Sequence, residues 1–129
     1  MLSADRYNMV ERAKIEHRRM AVNERMAEIF DNVDFIITAS NPDVAFSAEG
    51  PLPSTFGGIK VGLKNNGRYT FPANLHGNPA ISVPAGSVDG LPVGLQIVSR
   101  HFSEPLLLDL ACMMERTNPW PLTAPGSPA

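Results

Sequence analysis

His76, Ser82 and Asp89 are the residues of this sequence that can be written as a base, a nucleophile and an orienting acid. A serine hydroxyl attacks when an imidazole takes its proton and a carboxylate holds that imidazole in place. The context argues against such a set. Ser82 sits in Ala80-Ile81-Ser82-Val83-Pro84, without the glycine-flanked elbow that exposes a nucleophile at the end of a strand. A Ser, a His and an Asp occur somewhere in most domains, so no triad is expected. His17, His76 and His101 share no metal-ligand spacing with Cys112 or with one another, and no zinc site is expected either. Cys112 is the single cysteine, which excludes an internal disulfide and fits a small thiol buried on a helix. Asn74, His76 and Asn78 flank Gly77. Asn and His tolerate unusual backbone angles, so turn chemistry is the plainer reading of these three residues.

Composition bounds the partners. Eleven basic residues stand against 13 acidic ones, a net charge of -2, which gives no general pull toward nucleic acid or an anionic membrane. No run reaches the ~18 apolar residues of a membrane span. The chain opens with a charged amphipathic pattern where a secretory leader would have an apolar core, so a cytoplasmic protein is expected. At 129 residues and 43% apolar content, one domain with a modest core is the expectation. The 12 prolines and 10 glycines crowd into residues 41–94 and the tail after Thr117. Long irregular connections bury little apolar surface against the entropy of ordering them, so such a chain needs neighbours to pack on.

The elements that would position any site follow from periodicity. From Asp5 to Phe30 no Pro or Gly intervenes, and Met9, Ala13, Met20, Ala27 with Val22, Met26, Ile29 and Phe30 recur at helical spacing. One long helix is predicted, capped by Ser3 or Asp5 and stopped by Asn32 in a left-handed conformation. Its other face carries Arg12, Lys14, His17, Arg18 and Arg19 with Glu11, Glu16, Glu24 and Glu28 interleaved. That is a solvated face, on which Arg12 can pair with Glu16. Asp34-Phe35-Ile36-Ile37-Thr38 reads as a buried strand, and residues 39–58 as a long loop.

Ile59, Val61 and Leu63 alternate before Asn65-Asn66-Gly67, which predicts a hairpin returning through Tyr69 and Phe71. Two further strands, over Asn78–Gly86 and Leu91–Val98, are joined by Val88-Asp89-Gly90 and should be antiparallel neighbours. Gly94 inside the second would let another backbone approach. Leu106, Leu107, Leu110, Met113 and Met114 form a helical stripe begun by Ser103 and Pro105 and running to about Arg116. Trp120 beyond it plugs the last helix or anchors a partner.

Phe71-Pro72-Ala73-Asn74-Leu75-His76-Gly77-Asn78-Pro79-Ala80-Ile81-Ser82-Val83-Pro84-Ala85-Gly86 followed by Gly90-Leu91-Pro92-Val93-Gly94-Leu95-Gln96-Ile97-Val98 closely resembles the C-terminal signature of amidase signature enzymes. The flanks agree. The long helix with Asp34–Thr38 is similar to the family's helix and strand, and Glu104–Glu115 with Pro119-Trp120 to its last helix and ending. The resemblance implies an α/β fold. Residues 1–129 would be the C-terminal portion of the family domain: a long N-terminal helix, about three strands of a mixed sheet, a C-terminal helix, and a proline-rich tail over 118–129.

The resemblance also implies a chemistry, hydrolysis of carbon–nitrogen bonds of amides by a serine, a second serine in a cis peptide and a lysine, with no cofactor. Those residues are expected elsewhere. The family's Gly-Gly-Ser-Ser-Gly-Gly-Ser type of segment has no counterpart, since Gly57-Gly58 precedes Ile59, and Lys14, Lys60 and Lys64 do not match the catalytic position. By resemblance, Asn74, His76 and Asn78 would edge the substrate cleft. Two functional expectations stand: part of an amidase that does not catalyse alone, or a binding module completing a separate N-terminal amidase chain. The partners implied are that N-terminal part or a second copy, and a small amide substrate.

Overall fold

Asn8 begins the first described helix. In the computed structural model, which describes residues 8–62 and 67–123, Asn8 Oδ1 accepts from the Glu11 amide at 3.0 Å and the Glu11 carboxylate accepts from the Asn8 amide at 3.2 Å. This reciprocal cap satisfies two orphan donors and starts α1, Met9–Phe30. Ser3 and Asp5 lie outside the described residues. The stop differs from expectation. Asp31 caps α1 in the right-handed region (φ -67°, ψ -22°), and Asn32 donates from Nδ2 to the Glu28 carbonyl at 2.9 Å. With a last-turn carbonyl satisfied by a side chain, no left-handed residue is required.

The remaining elements are β1 (Phe35–Ala39), β2 (Thr55–Phe56), β3 (Ile59–Lys60), α2 (Phe71–His76), β4 (Ala80–Val88), β5 (Leu91–Ser99) and α3 (Glu104–Thr117). β1, β5 and β4 form a sheet in that order. A mixed sheet was the expectation, but each pairing of the described strands is antiparallel. Asp89 and Gly90 both take positive φ, 50° and 77°, and this two-residue Asp-Gly turn matches the twist of the strands it joins.

Register decides which side chains share a face. Ile36, Val98 and Ala80 lie opposite one another, as do Thr38, Gln96 and Ser82, so these six project to one side. There Val98 and Ile36 pack with Met26 and Phe30 of α1 and Ala73 of α2. On the opposite side Val83 and Ile97 pack with Leu107 and Ala111 of α3, joined by Phe35, Ile81, Leu95, Leu110, Met114 and Trp120. The result is a helix, sheet, helix sandwich. Trp120, partly buried, packs against the cluster on the α3 side.

Three other expectations change. The hairpin after Ile59 is not formed: β3 pairs backward with β2, Tyr69 lies in a turn and Phe71 opens α2, where Pro72 occupies the first turn and needs no amide bond. Asn65 and Asn66 lie outside the described residues. Cys112 is exposed on α3, because the buried stripe of that helix runs through Leu107 and Ala111. Along α1 only Met26 and Phe30 are buried, and Met9 and Met20 are largely exposed. The exposed pairs Arg19–Glu16 at 3.8 Å and Arg25–Glu28 at 2.6 Å contribute tenths of a kcal/mol, roughly 0.3–0.5 each. Among the described residues no helix is long and apolar enough to cross a membrane.

Candidate functional site

The α1-facing side of the sheet changes from apolar to polar along its length. Beyond Ile36, Val98 and Ala80 come Thr38, Gln96 and Ser82, and beyond those Ser40, whose amide donates to the Gly94 carbonyl at 2.9 Å and so continues the β1 ladder. Gln96 is buried. Its Nε2 donates to Thr38 Oγ1 at 3.1 Å and to the Tyr69 carbonyl at 2.8 Å, which fastens the turn before α2 to the sheet. Such a group must be paired, since an unpaired amide in this position would cost about 1–3 kcal/mol.

Ser40 Oγ and Ser82 Oγ lie 2.5 Å apart. Gly94 is what lets them meet. A Cβ there would stand 2.7 Å from both hydroxyl oxygens and 3.2 Å from Ser40 Cβ. The close approach expected at Gly94 is therefore real, but two side chains make it and not a second backbone. Next to this pair Asn41, Asp43, Val44, Val88, Val93 and Gly94 contribute to a groove of about 350 Å³.

Asn74, His76 and Asn78 are brought together by α2 and its exit. Gly77 closes the helix in the left-handed conformation (φ 86°), which turns the chain so that Asn78 Nδ2 donates to the Ser99 carbonyl at 2.7 Å. That bond fixes the amide, leaving Asn78 Oδ1 as acceptor 2.6 Å from His76 Nδ1. His76 Nδ1 is therefore the donor of this bond. His101 Nε2 lies 2.9 Å from the His76 carbonyl, so it donates, and the two rings stack at 4.5 Å. Asn74 is exposed on α2. The unusual backbone angle of this turn is taken by Gly77 and by none of Asn74, His76 or Asn78; His76 and Asn78 serve the turn through their side-chain bonds instead.

The set His76, Ser82 and Asp89 is not assembled. His76 bonds Asn78, Ser82 bonds Ser40, and Asp89 sits at the far tip of the hairpin, roughly 20 Å along the strand from Ser82 at ~3.3 Å per residue. Among the described residues no three His, Cys, Asp or Glu side chains gather as a metal site would require. Lys14 and Lys60 are exposed on α1 and β3, and Lys64 lies outside the described residues. What the polar end offers is hydrogen-bonding hydroxyls and an amide able to line a pocket, with the carboxylate of Asp43 on the adjoining groove, where it accepts from the Val44 amide at 2.8 Å. Sequence reasoning missed Thr38, Ser40 and Gln96; the signal was the two-residue alternation of Thr38 with Ser40 and of Gly94 with Gln96.

Comparison with known proteins gives a consistent picture. The Amidase family profile matches residues 1–108. A glutamyl-tRNA(Gln) amidotransferase subunit from Listeria monocytogenes serotype 4a (strain HCC23) is 39% identical over 103 residues, 80% of this chain and 20% of the relative. A bacterial aryl acylamidase of the amidase signature family superposes with a TM-score of 0.78 at 25% identity, covering 88% of this chain and 24% of that one. The corresponding glutamyl-tRNA(Gln) amidotransferase subunit from Thermotoga maritima gives 0.62 at 34% identity, over 79% of this chain and 21% of its own. The chain spans about a fifth of the length of the curated relatives it matches.

Proposed function

This chain belongs to the amidase family, and we propose that it forms the C-terminal portion of an enzyme hydrolysing carbon–nitrogen bonds of amides. The serine, cis-serine and lysine of that chemistry lie in the rest of the molecule. The observation that carries this reading is the asymmetry of coverage: 88% of this chain lies within 24% of an aryl acylamidase. Residues 1–129 act as one portion with an irregular tail from 118, in the cytoplasm and without a cofactor. Asn74, His76 and Asn78 edge the substrate cleft in the assembled enzyme. His76 and Asn78 hold one another through Nδ1 and Oδ1, and Asn74 is exposed on α2, so Asn74 and His76 Nε2 are the groups offered to substrate.

The test is a graft. Replacing the corresponding quarter of the aryl acylamidase with this chain should give a protein that hydrolyses aryl amides, while the 129-residue chain alone should not. Turnover by the free chain that disappears in Ser82→Ala would overturn the reading. A second reading, a non-catalytic module completing a separate amidase chain, is favoured by the exposure of Ile15, Val22 and Ile29 along α1. Activity regained on mixing the two pieces unjoined would select it.

A further inference from the structure

α2 is too short to hold its own place. Its 6 residues, Phe71–His76, fall well below the ~12–15 at which a helix becomes even marginally stable alone in water. Ala73 is the residue of α2 that is buried. It seats against Met26, Phe30 and Val98, but a methyl group offers little area with which to fix a helix. Placement therefore falls to the hydrogen bonds at the two ends of α2, and both ends are tied to β5.

At the exit, Asn78 Nδ2 donates to the Ser99 carbonyl at 2.7 Å, and the Gly77 and Asn78 amides donate to the Ala73 carbonyl at 2.7 and 3.0 Å. At the entry, the Tyr69 carbonyl accepts from Gln96 Nε2 at 2.8 Å. The Thr70 amide and hydroxyl both donate to the Gly67 carbonyl at 3.1 Å and close that turn. One helical turn on, the Asn74 amide donates to the Thr70 carbonyl at 3.3 Å. Asn74 thus follows the entry, whereas His76 is held at the exit by Asn78. Gln96 is itself fixed. It lies on the middle strand of the sheet, is 6% exposed, and donates also to Thr38 Oγ1 at 3.1 Å, so it gives the entry of α2 a rigid point of reference.

We propose that Gln96 is a positioning residue for substrate binding: buried, it does not reach substrate itself, and its bond to the Tyr69 carbonyl sets where Asn74 stands at the cleft. The proposal rests on the reading under Proposed function that Asn74 is offered to substrate, and it adds the residue that places it.

Two variants in the aryl acylamidase graft test it. Gln96→Met keeps the length of the side chain and removes the donor without burying a charge; Gln96→Glu keeps the shape. Either should raise KM for an aryl amide about fivefold, the worth of one ordinary hydrogen bond. With the serines and lysine elsewhere, kcat should move by less than about twofold, as when only ground-state binding is lost. In an Asn74→Ala background the same substitutions should leave KM unchanged, because residues that act through one contact are not additive. An equal rise of KM in both backgrounds, or a fall in kcat at constant KM, would overturn the proposal. An active graft in which Asn74→Ala itself leaves KM unchanged would overturn it too, while the amidase reading stands.

Amide residual dipolar couplings of the free 129-residue chain read the placement directly. In Gln96→Met, α2 should reorient relative to β5 about the Asn78–Ser99 bond, and an α2 that keeps its orientation would overturn the proposal whether or not the graft hydrolyses. A graft that folds but does not hydrolyse would count against the amidase reading, and the couplings would then decide the role of Gln96 alone.

Discussion

Ser40 and Ser82 join the two outer strands of the sheet directly, oxygen to oxygen at 2.5 Å, across the backbone of Gly94 on the strand between them. Outer strands of a three-stranded sheet are ~10 Å apart at ~4.8 Å per step, so side chains reach each other only where the middle residue has none. The tie therefore depends on three positions in three segments, and it draws both sheet edges together at the polar end of the face.

Gly94→Ala should destabilise the chain by about 1–3 kcal/mol, the usual penalty of overpacking, because the new methyl would stand 2.7 Å from both hydroxyl oxygens. Adding Ser82→Ala should recover part of the loss, since Ser40 can then rotate into the vacated space. Urea unfolding midpoints of the single and double variants measure this. Equal destabilisation in both would mean that the backbone, not the serine pair, rejects the methyl.

Asn78→Ala leaves the Ser99 carbonyl without its 2.7 Å donor and should cost about 1–3 kcal/mol. Asn78→Asp should cost at least as much. Its carboxylate would set an acceptor against that carbonyl where the amide now donates. Thermal melts that rank the aspartate above the alanine variant would refute the amide orientation, and with it the donor role of His76 Nδ1.

Much of this arrangement is legible in the sequence, and the misreadings have local causes. β4, β5 and α3 carry strong signals: Asp89-Gly90 between alternating apolar runs, and an apolar stripe behind Ser103 and Pro105. The family resemblance supplies what periodicity cannot, the expectation that the catalytic residues lie elsewhere. For β3 the alternation points to the wrong partner, because Asn65-Asn66-Gly67 has the composition of a hairpin turn. The turn used is Gly57-Gly58, both with positive φ, 54° and 78°, and a Gly-Gly pair is itself a signature of the two-residue hairpin. Along α1 the helical period is correct but the burial it implies is not, since apolar spacing specifies a face and not whether anything in the same chain covers it.

Gln96→Glu keeps the shape of the side chain and removes the donor that holds both Thr38 and the Tyr69 carbonyl. The Thr38 hydroxyl can turn and donate to the new carboxylate, but the Tyr69 carbonyl loses its donor, and about 1–3 kcal/mol of destabilisation is expected. The local effect is more diagnostic: amides of residues 67–71 should exchange faster than those of α3 in the variant, because Gln96 ties that turn to the sheet. Uniform acceleration over the whole chain would show that the bond stabilises the fold globally and not the turn in particular.

The seam of α1 gives the sharpest contrast between this chain and the enzyme it would complete. Phe30→Ala should cost about 3–5 kcal/mol in the free chain, the range for truncating a buried aromatic residue, because only 6% of Phe30 is exposed. Ile15→Ala and Val22→Ala, at 46% and 37% exposure, should stay within about 0.5 kcal/mol there, as surface substitutions do. In the aryl acylamidase graft the ranking should compress, with both exposed positions becoming costly as the catalytic portion covers them. Guanidinium unfolding of the three variants in each background measures it. If Ile15→Ala and Val22→Ala remain silent in an active graft, the helix stands free of the catalytic portion, and the cover of this chain comes through the sheet alone.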